Sequence, residues 1–321
     1  MNRETLERQQ IPIYFAAILV AAIGGLSTPS AAQGLSALIT PSIAVLMYAM
    51  FLQIPFLDLR QGLSNRRFMT ALLLANFVVV PLLVWGLTRS LLDHPAILAG
   101  ALLVLLTPCI DYVVVFTHIG KGDSKLTLAA TPILLLLQLL LLPAYLAVML
   151  GQRSTPVISI GPFLEAFLLL IVLPLILAVM TCAGAKRSTR VDRWNTAWAW
   201  MPVPAMAAVL IVVIGSQIAY VTQEFDRLLP VIPIYLAFIL LAPIAGALVA
   251  RLSRLTSPAA RSVVFSSSTR NSLVVLPLAL ALPEDIRALA AAAVITQTLM
   301  ELVAELIYIR VVPALVWRRV V

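Results

Sequence analysis

A few ionisable and thiol side chains stand inside otherwise apolar runs: Cys109, Asp111, Arg270, Glu301 and Glu305. A charge in hydrocarbon costs about 2.5–3.5 kcal/mol per residue even on the mildest scale, so each needs a partner, a cavity or a ligand. Glu301 and Glu305 are four residues apart and share one helix face. Two carboxylates that close in an apolar setting do not both ionise easily, so at least one can hold and exchange a proton. The competing reading has Glu305 paired with Arg310 at the membrane edge. Arg270 is a permanent cation and demands a partner or an anion, with Asp111 as the natural candidate. It can tether an anion, replace a bound cation, or form a structural ion pair. Most buried cysteines are inert small hydrophobes. A thiol beside a helix break is better placed for thiolate chemistry and for soft ligands. Among uncharged polar residues in apolar runs (Asn76, Gln138, Asn271 and Gln297), Asn76 and Asn271 are expected in a cavity. His118 is expected at a membrane face with no special role, and Cys182 in packing.

These residues are positioned by a chain that belongs in lipid. It is 62% hydrophobic and 11% charged, with a mean hydropathy of +1.04. A soluble domain carries about a quarter charged residues. A span needs about 20 apolar residues. The apolar runs predict ten spans, at 11–27, 36–56, 68–88, 95–118, 126–150, 162–184, 196–220, 229–250, 259–282 and 287–312, an all-α integral membrane fold. A barrel would instead show short alternating segments. The N-terminal MNRETLERQQ does not read as a cleaved signal peptide. Of the 22 basic residues, seventeen fall on one side of this threading and four on the other, with Arg270 inside a span. The bias puts both termini in the cytoplasm of a cell whose inner membrane holds the protein. The net charge of +8 then reflects topology and anionic lipid, so no nucleic-acid partner is expected. No metal-ligand spacing and no cofactor motif occurs.

Ten spans divide into two sets of five, 1–155 and 156–321, which insert with opposite orientation as an inverted repeat. The fourth span is interrupted at LLTPCIDYVVV, residues 105–115, and the ninth at FSSSTRNSLVV, residues 265–275. An acidic turn follows each at the same distance, Asp123 after Cys109 and Glu284 after Arg270. Interrupted helices at matching positions of two halves point to a midplane binding site. The plainer alternative is a proline kink in one helix and decorative hydroxyls in the other.

The stretch CIDYVVVFTHIGKGD, residues 109–123, resembles the fourth helix of the arsenite efflux permeases within the bile acid:sodium symporter superfamily. TLME, ending at Glu301, resembles their tenth helix. STRNSLVVLPLALAL resembles the superfamily's broken ninth helix, with Asn271 at its recurring asparagine. The resemblance implies ten helices with crossing breaks, and a core of spans 3, 4, 5, 8, 9 and 10 moving against a panel of spans 1, 2, 6 and 7. It implies proton-driven export of arsenite or antimonite, with Cys109 as the site thiol and Glu301 as a proton-linked carboxylate. Pro108, Asp111 and Arg270 depart from the permease pattern. Arg270 falls near a position that serves sodium coordination in the bile-acid branch, where a guanidinium would repel sodium and take its place.

The expected function is therefore secondary transport rather than catalysis, with a small inorganic or organic solute, protons and membrane lipid as partners. The expected site comprises Cys109, Asp111, Arg270, Asn271 and Asn76 for the solute and Glu301 with Glu305 for protons. The alternative is an organic-anion transporter that uses Arg270. A membrane receptor or lipid-binding scaffold is the reading from another class.

Overall fold

The computed structural model describes residues 9–53, 65–110, 112–150, 165 and 168–316. Asp111, the expected junction at 155/156, and Arg3, Arg8, Arg60, Arg153, Arg318 and Arg319 lie outside the described residues. The labelled helices are α1 (Gln10–Ser27), α2 (Gly34–Gln53), α3 (Arg66–Leu91), α4 (Pro95–Leu105), α5 (Val113–Ile119), α6 (Ser124–Leu150), α7 (Leu173–Ala185), α8 (Thr189–Trp198), α9 (Pro202–Gln223), α10 (Ile232–Leu252), α11 (Ser257–Ser268), α12 (Ser272–Leu280) and α13 (Glu284–Leu315). Among the described residues, six helical stretches are long and apolar enough to cross a membrane: α2, α3, α6, α9, α13 and the stretch Phe225–Leu252 that contains α10. Leu140 and Val148 on α6 are 73% and 76% exposed, as lipid-facing side chains should be. The chain is a multi-pass, all-helical membrane protein.

The expected fourth and ninth spans are each two half-helices, α4 with α5 and α11 with α12. Their interruptions fall inside the stretches that the polar residues mark. The expected seventh span at 196–220 needs a corrected start. Pro202 opens α9 at its first turn, where a missing N–H costs nothing. The preceding residues form the separate helix α8, whose Trp198 meets Tyr48 edge-on at 4.9 Å.

The chain forms two compact units. One holds Met1–Gln53 and Ile160–Arg227, the other Ile54–Ser159 and Leu228–Val321. These are the groupings that the resemblance assigns to panel and core. In the first unit α1 packs on α9 so closely that a Cβ on Gly25 would lie 2.4 Å from Gly215 O. The Tyr48 hydroxyl lies 2.9 Å from Thr181 Oγ1 and accepts from Trp194 Nε1 at 3.1 Å.

The second unit holds α3–α6 and α10–α13. Two prolines interrupt its helices in the same way. Pro81 has no N–H for the Phe77 carbonyl one turn back, and Tyr145 Oη donates to that carbonyl at 2.6 Å. Pro243 frees the Ile239 carbonyl, and Tyr308 Oη donates there at 2.5 Å. The tyrosine follows the carbonyl by 68 residues in one case and 69 in the other. The KGD turn is also built locally. Asp123 Oδ1 caps α6 by accepting from Leu126 N at 3.1 Å, and Ser262 Oγ on α11 donates to Asp123 O at 3.0 Å. Lys121 takes a positive φ of 58° to make the turn.

Gly100 sets the spacing of α4 against α13, since a Cβ there would lie 2.3 Å from Ala290 O. Backbone cannot yield as a side-chain tip can. Gly100→Val should lower stability by about 1–3 kcal/mol, the usual cost of overpacking. Gly86→Ala, where a Cβ meets nothing within 4 Å, should leave it unchanged or slightly higher. Thermal unfolding of the purified protein checks both.

Candidate functional site where two broken helices cross

A broken helix leaves N–H and C=O groups without partners, which hydrocarbon cannot supply. Here the two breaks serve each other. Cys109 N donates to Thr269 O at 3.1 Å, and Asn271 N donates to Thr107 O at 2.9 Å. Pro108 and Arg270 face each other as an antiparallel bridge, the only such pairing outside helices among the described residues. Pro108 suits the position because it has no N–H to satisfy. Asn271 then restarts the second helix, its Oδ1 accepting from Val274 N at 3.3 Å.

Arg270 is fully buried. One guanidinium nitrogen donates to Ser266 O at 2.6 Å and Asn76 Oδ1 at 2.9 Å, and the other to Leu105 O at 3.4 Å. The Phe238 ring lies 5.6 Å from the guanidinium carbon. Leu105 and Ser266 belong to the last turns of α4 and α11, whose carbonyl ends carry partial negative charge. The cation therefore sits where two half-helices end. Asn76 is oriented to serve it. Its Nδ2 donates to Leu72 O and Ser266 Oγ at 3.1 and 3.0 Å, which leaves the oxygen for Arg270. A π-turn at Ala75–Val79 carries Asn76.

Glu301 on α13 is buried and ties the two breaks together. Its Oε1 lies 2.7 Å from Tyr112 Oη, on the segment after the first break. Its Oε2 accepts the Arg270 backbone N–H at 2.9 Å and a donation from Gln297 Nε2. Tyr112 Oη also lies 2.9 Å from Arg270 O. Glu305 turns inward rather than toward Arg310, which is exposed. Its Oε1 lies 2.5 Å from Thr269 Oγ1.

Cys109, Asn76, Arg270, Asn271, Glu301 and Glu305 are thus gathered at one crossing, while Asp111 lies outside the described residues. Cys109 is fully buried. Gln138 is buried elsewhere on α6, with no partner for its amide among the described residues. His118 is exposed, and Cys182 Sγ packs 3.8 Å from Leu52 O. Sequence reasoning passed over Tyr112, Thr269 and Ser266. Each stands in or beside a break, and a hydroxyl at such a position was the signal.

Asn76 is the test of this packing. Asn76→Leu removes the oxygen that meets a buried cation, a hydrogen bond worth about 1.5–3 kcal/mol, and should lower stability by that amount. Gln138→Leu removes a buried amide without a described partner and should cost less or stabilise. Thermal or denaturant unfolding in detergent reads the difference.

Sequence comparisons place the chain among known transporters. The model of the Sodium Bile acid symporter family matches residues 40–224, more than half of the chain. The chain is also 24% identical, over 258 residues, to the uncharacterized sodium-dependent transporter YocS of Bacillus subtilis (strain 168). That match covers 79% of this chain and 77% of the relative. The chain belongs to the sodium bile acid symporter family.

Proposed function

We propose that the chain is a secondary transporter that works by alternating access around the crossing and exchanges protons through Glu301 for a small exported solute. The observation that carries this is the position of Glu301, which holds Tyr112 from one break and Arg270 N–H from the other. A proton arriving at or leaving that carboxyl changes its bonds to both breaks at once. Sodium is a poor driver at this point. The oxygens of Asn76, Ser266 and Leu105 already hold a fixed positive charge on Arg270. The name of the relative, a sodium-dependent transporter, describes that protein.

Ten spans in two inverted sets of five remain the topology we propose. The repeated proline and tyrosine device supports it, because Pro81 with Tyr145 and Pro243 with Tyr308 occupy matching places in the two sets. The pairing of one break from each set supports it too. The bias of basic residues supports a cell membrane location with both termini on the cytoplasmic side. Movement of the second unit against the first would carry the site from one face to the other.

For the cargo, trivalent arsenic hydroxide suits the thiol of Cys109, a soft ligand on the crossing itself. Antimony in the same state shares that chemistry. A second reading, an organic anion, is favoured by a different observation. Asn271 Nδ2 and Ser272 Oγ are buried at the start of α12 without a partner among the described residues, next to the Arg270 cation. Family membership favours the same class of cargo.

Proteoliposomes with an imposed proton gradient distinguish these readings. Arsenite should move in a protein-dependent way that persists when sodium is replaced by choline. Cys109→Ser should lower that flux at least tenfold. If Cys109→Ser is silent and Arg270→Gln abolishes flux of an organic anion, the second reading holds. No protein-dependent flux of any solute would leave a receptor or scaffold.

A further inference from the structure

Two hydroxyls at the crossing face more acceptors than they have protons. Thr269 Oγ1 lies 2.7 Å from Phe265 O and 2.5 Å from Glu305 Oε1. Tyr112 Oη lies 2.9 Å from Arg270 O and 2.7 Å from Glu301 Oε1. A hydroxyl donates one hydrogen bond and accepts others, and a backbone carbonyl can only accept. Each hydroxyl proton therefore goes to its carbonyl, and the proton in the other short contact must come from the carboxyl. Without it, two oxygens would face each other at hydrogen-bond distance with nothing between them. The other oxygen of Glu301 says which side would carry the proton, since it already accepts from Arg270 N and Gln297 Nε2. That oxygen is the carbonyl side of an acid, and the proton belongs on Oε1. Glu305 Oε2 is buried with no donor among the described residues. An ionised carboxylate would leave that oxygen buried and unsatisfied, at high cost.

We infer that Glu305 with Thr269 is a second proton-binding site, and that in this conformation Glu301 and Glu305 each carry a proton on the oxygen that faces a hydroxyl. The inference deepens the proposed proton coupling and rests on it only for its role in transport. Each site is a relay of the same form: carboxyl O–H to hydroxyl oxygen, hydroxyl O–H to backbone carbonyl. Loss of the carboxyl proton leaves a carboxylate that accepts. The hydroxyl then rotates to donate to it and gives up its carbonyl. At Glu301 this frees Arg270 O in the second break. At Glu305 it frees Phe265 O from the hydroxyl at the last turn of α11. Protonation is thereby read by the backbone on which the crossing is built. The charged and titratable groups that interact with the pair, among the described residues, are Tyr112 at the first break, Arg270 at the second and Tyr308 on α13, with Cys109 interacting with Arg270 in turn.

Infrared difference spectroscopy of the purified protein in lipid, stepped in pH without any solute, tests this. Protonated carboxyls absorb apart from carboxylates, so two acid bands are expected. Glu301→Gln should remove one and Glu305→Gln the other. Thr269→Val should shift the Glu305 band and leave the Glu301 band in place. Tyr112→Phe should do the reverse. Thr269→Ser keeps the hydroxyl and should restore the wild-type position, which separates loss of the relay from loss of folding. If Glu305→Gln removes no acid band, or if Thr269→Val leaves the Glu305 band unmoved, the second site does not exist. The measurement needs no cargo, so failure of the flux assays leaves its outcome intact.

Discussion

The rest of the site depends on two backbone hydrogen bonds, Cys109 N to Thr269 O and Asn271 N to Thr107 O. A helix cannot stop within a membrane unless its freed groups find partners. Each break here supplies what the other lacks. This mutual satisfaction fixes where the half-helices end, and so fixes which charges can be buried beside them. It also means that the two breaks are not independently movable. A change that loosens one removes partners from the other.

The charges follow from that geometry. Two half-helices end with their carbonyls toward Arg270, and a cation is what such ends favour. Asn76 completes the shell with a neutral oxygen, held in place by Leu72 and Ser266. Glu301 enters from α13 and takes the backbone N–H of Arg270. The guanidinium is therefore bound mainly by neutral oxygens and an aromatic face, while a carboxyl serves the backbone of the same residue. Under the proposed proton coupling, this division would let the proton state of Glu301 act on the break without removing the contacts that hold the cation.

Much of this was legible in the sequence because charge in an apolar run is conspicuous. Arg270 and Glu301 stood out on cost alone, Cys109 stood out only by its place beside a break, and the interrupted runs placed the breaks correctly. Asn76 was expected in the cavity, but its specific duty toward Arg270 depends on helix rotation, which an almost wholly apolar run conceals. The inward turn of Glu305 was hidden for the same reason, since Arg310, five residues further on, offered a partner at the membrane edge. Tyr112 and Thr269 were missed because a hydroxyl costs little to bury and attracts no notice until its acceptors are counted. The start of α9 was misplaced because Trp198 and Trp200 read as apolar residues, whereas the helix is set by Pro202.

The central claim is that a proton on Glu301 and the occupancy of the crossing are linked. It is tested most directly by counting protons released when solute binds the purified protein in weakly buffered detergent solution. Arsenite and an organic anion serve as the probes. The account predicts proton release that tracks binding and disappears in Glu301→Gln. Saturable binding with no proton release, or release undiminished in that variant, would contradict it.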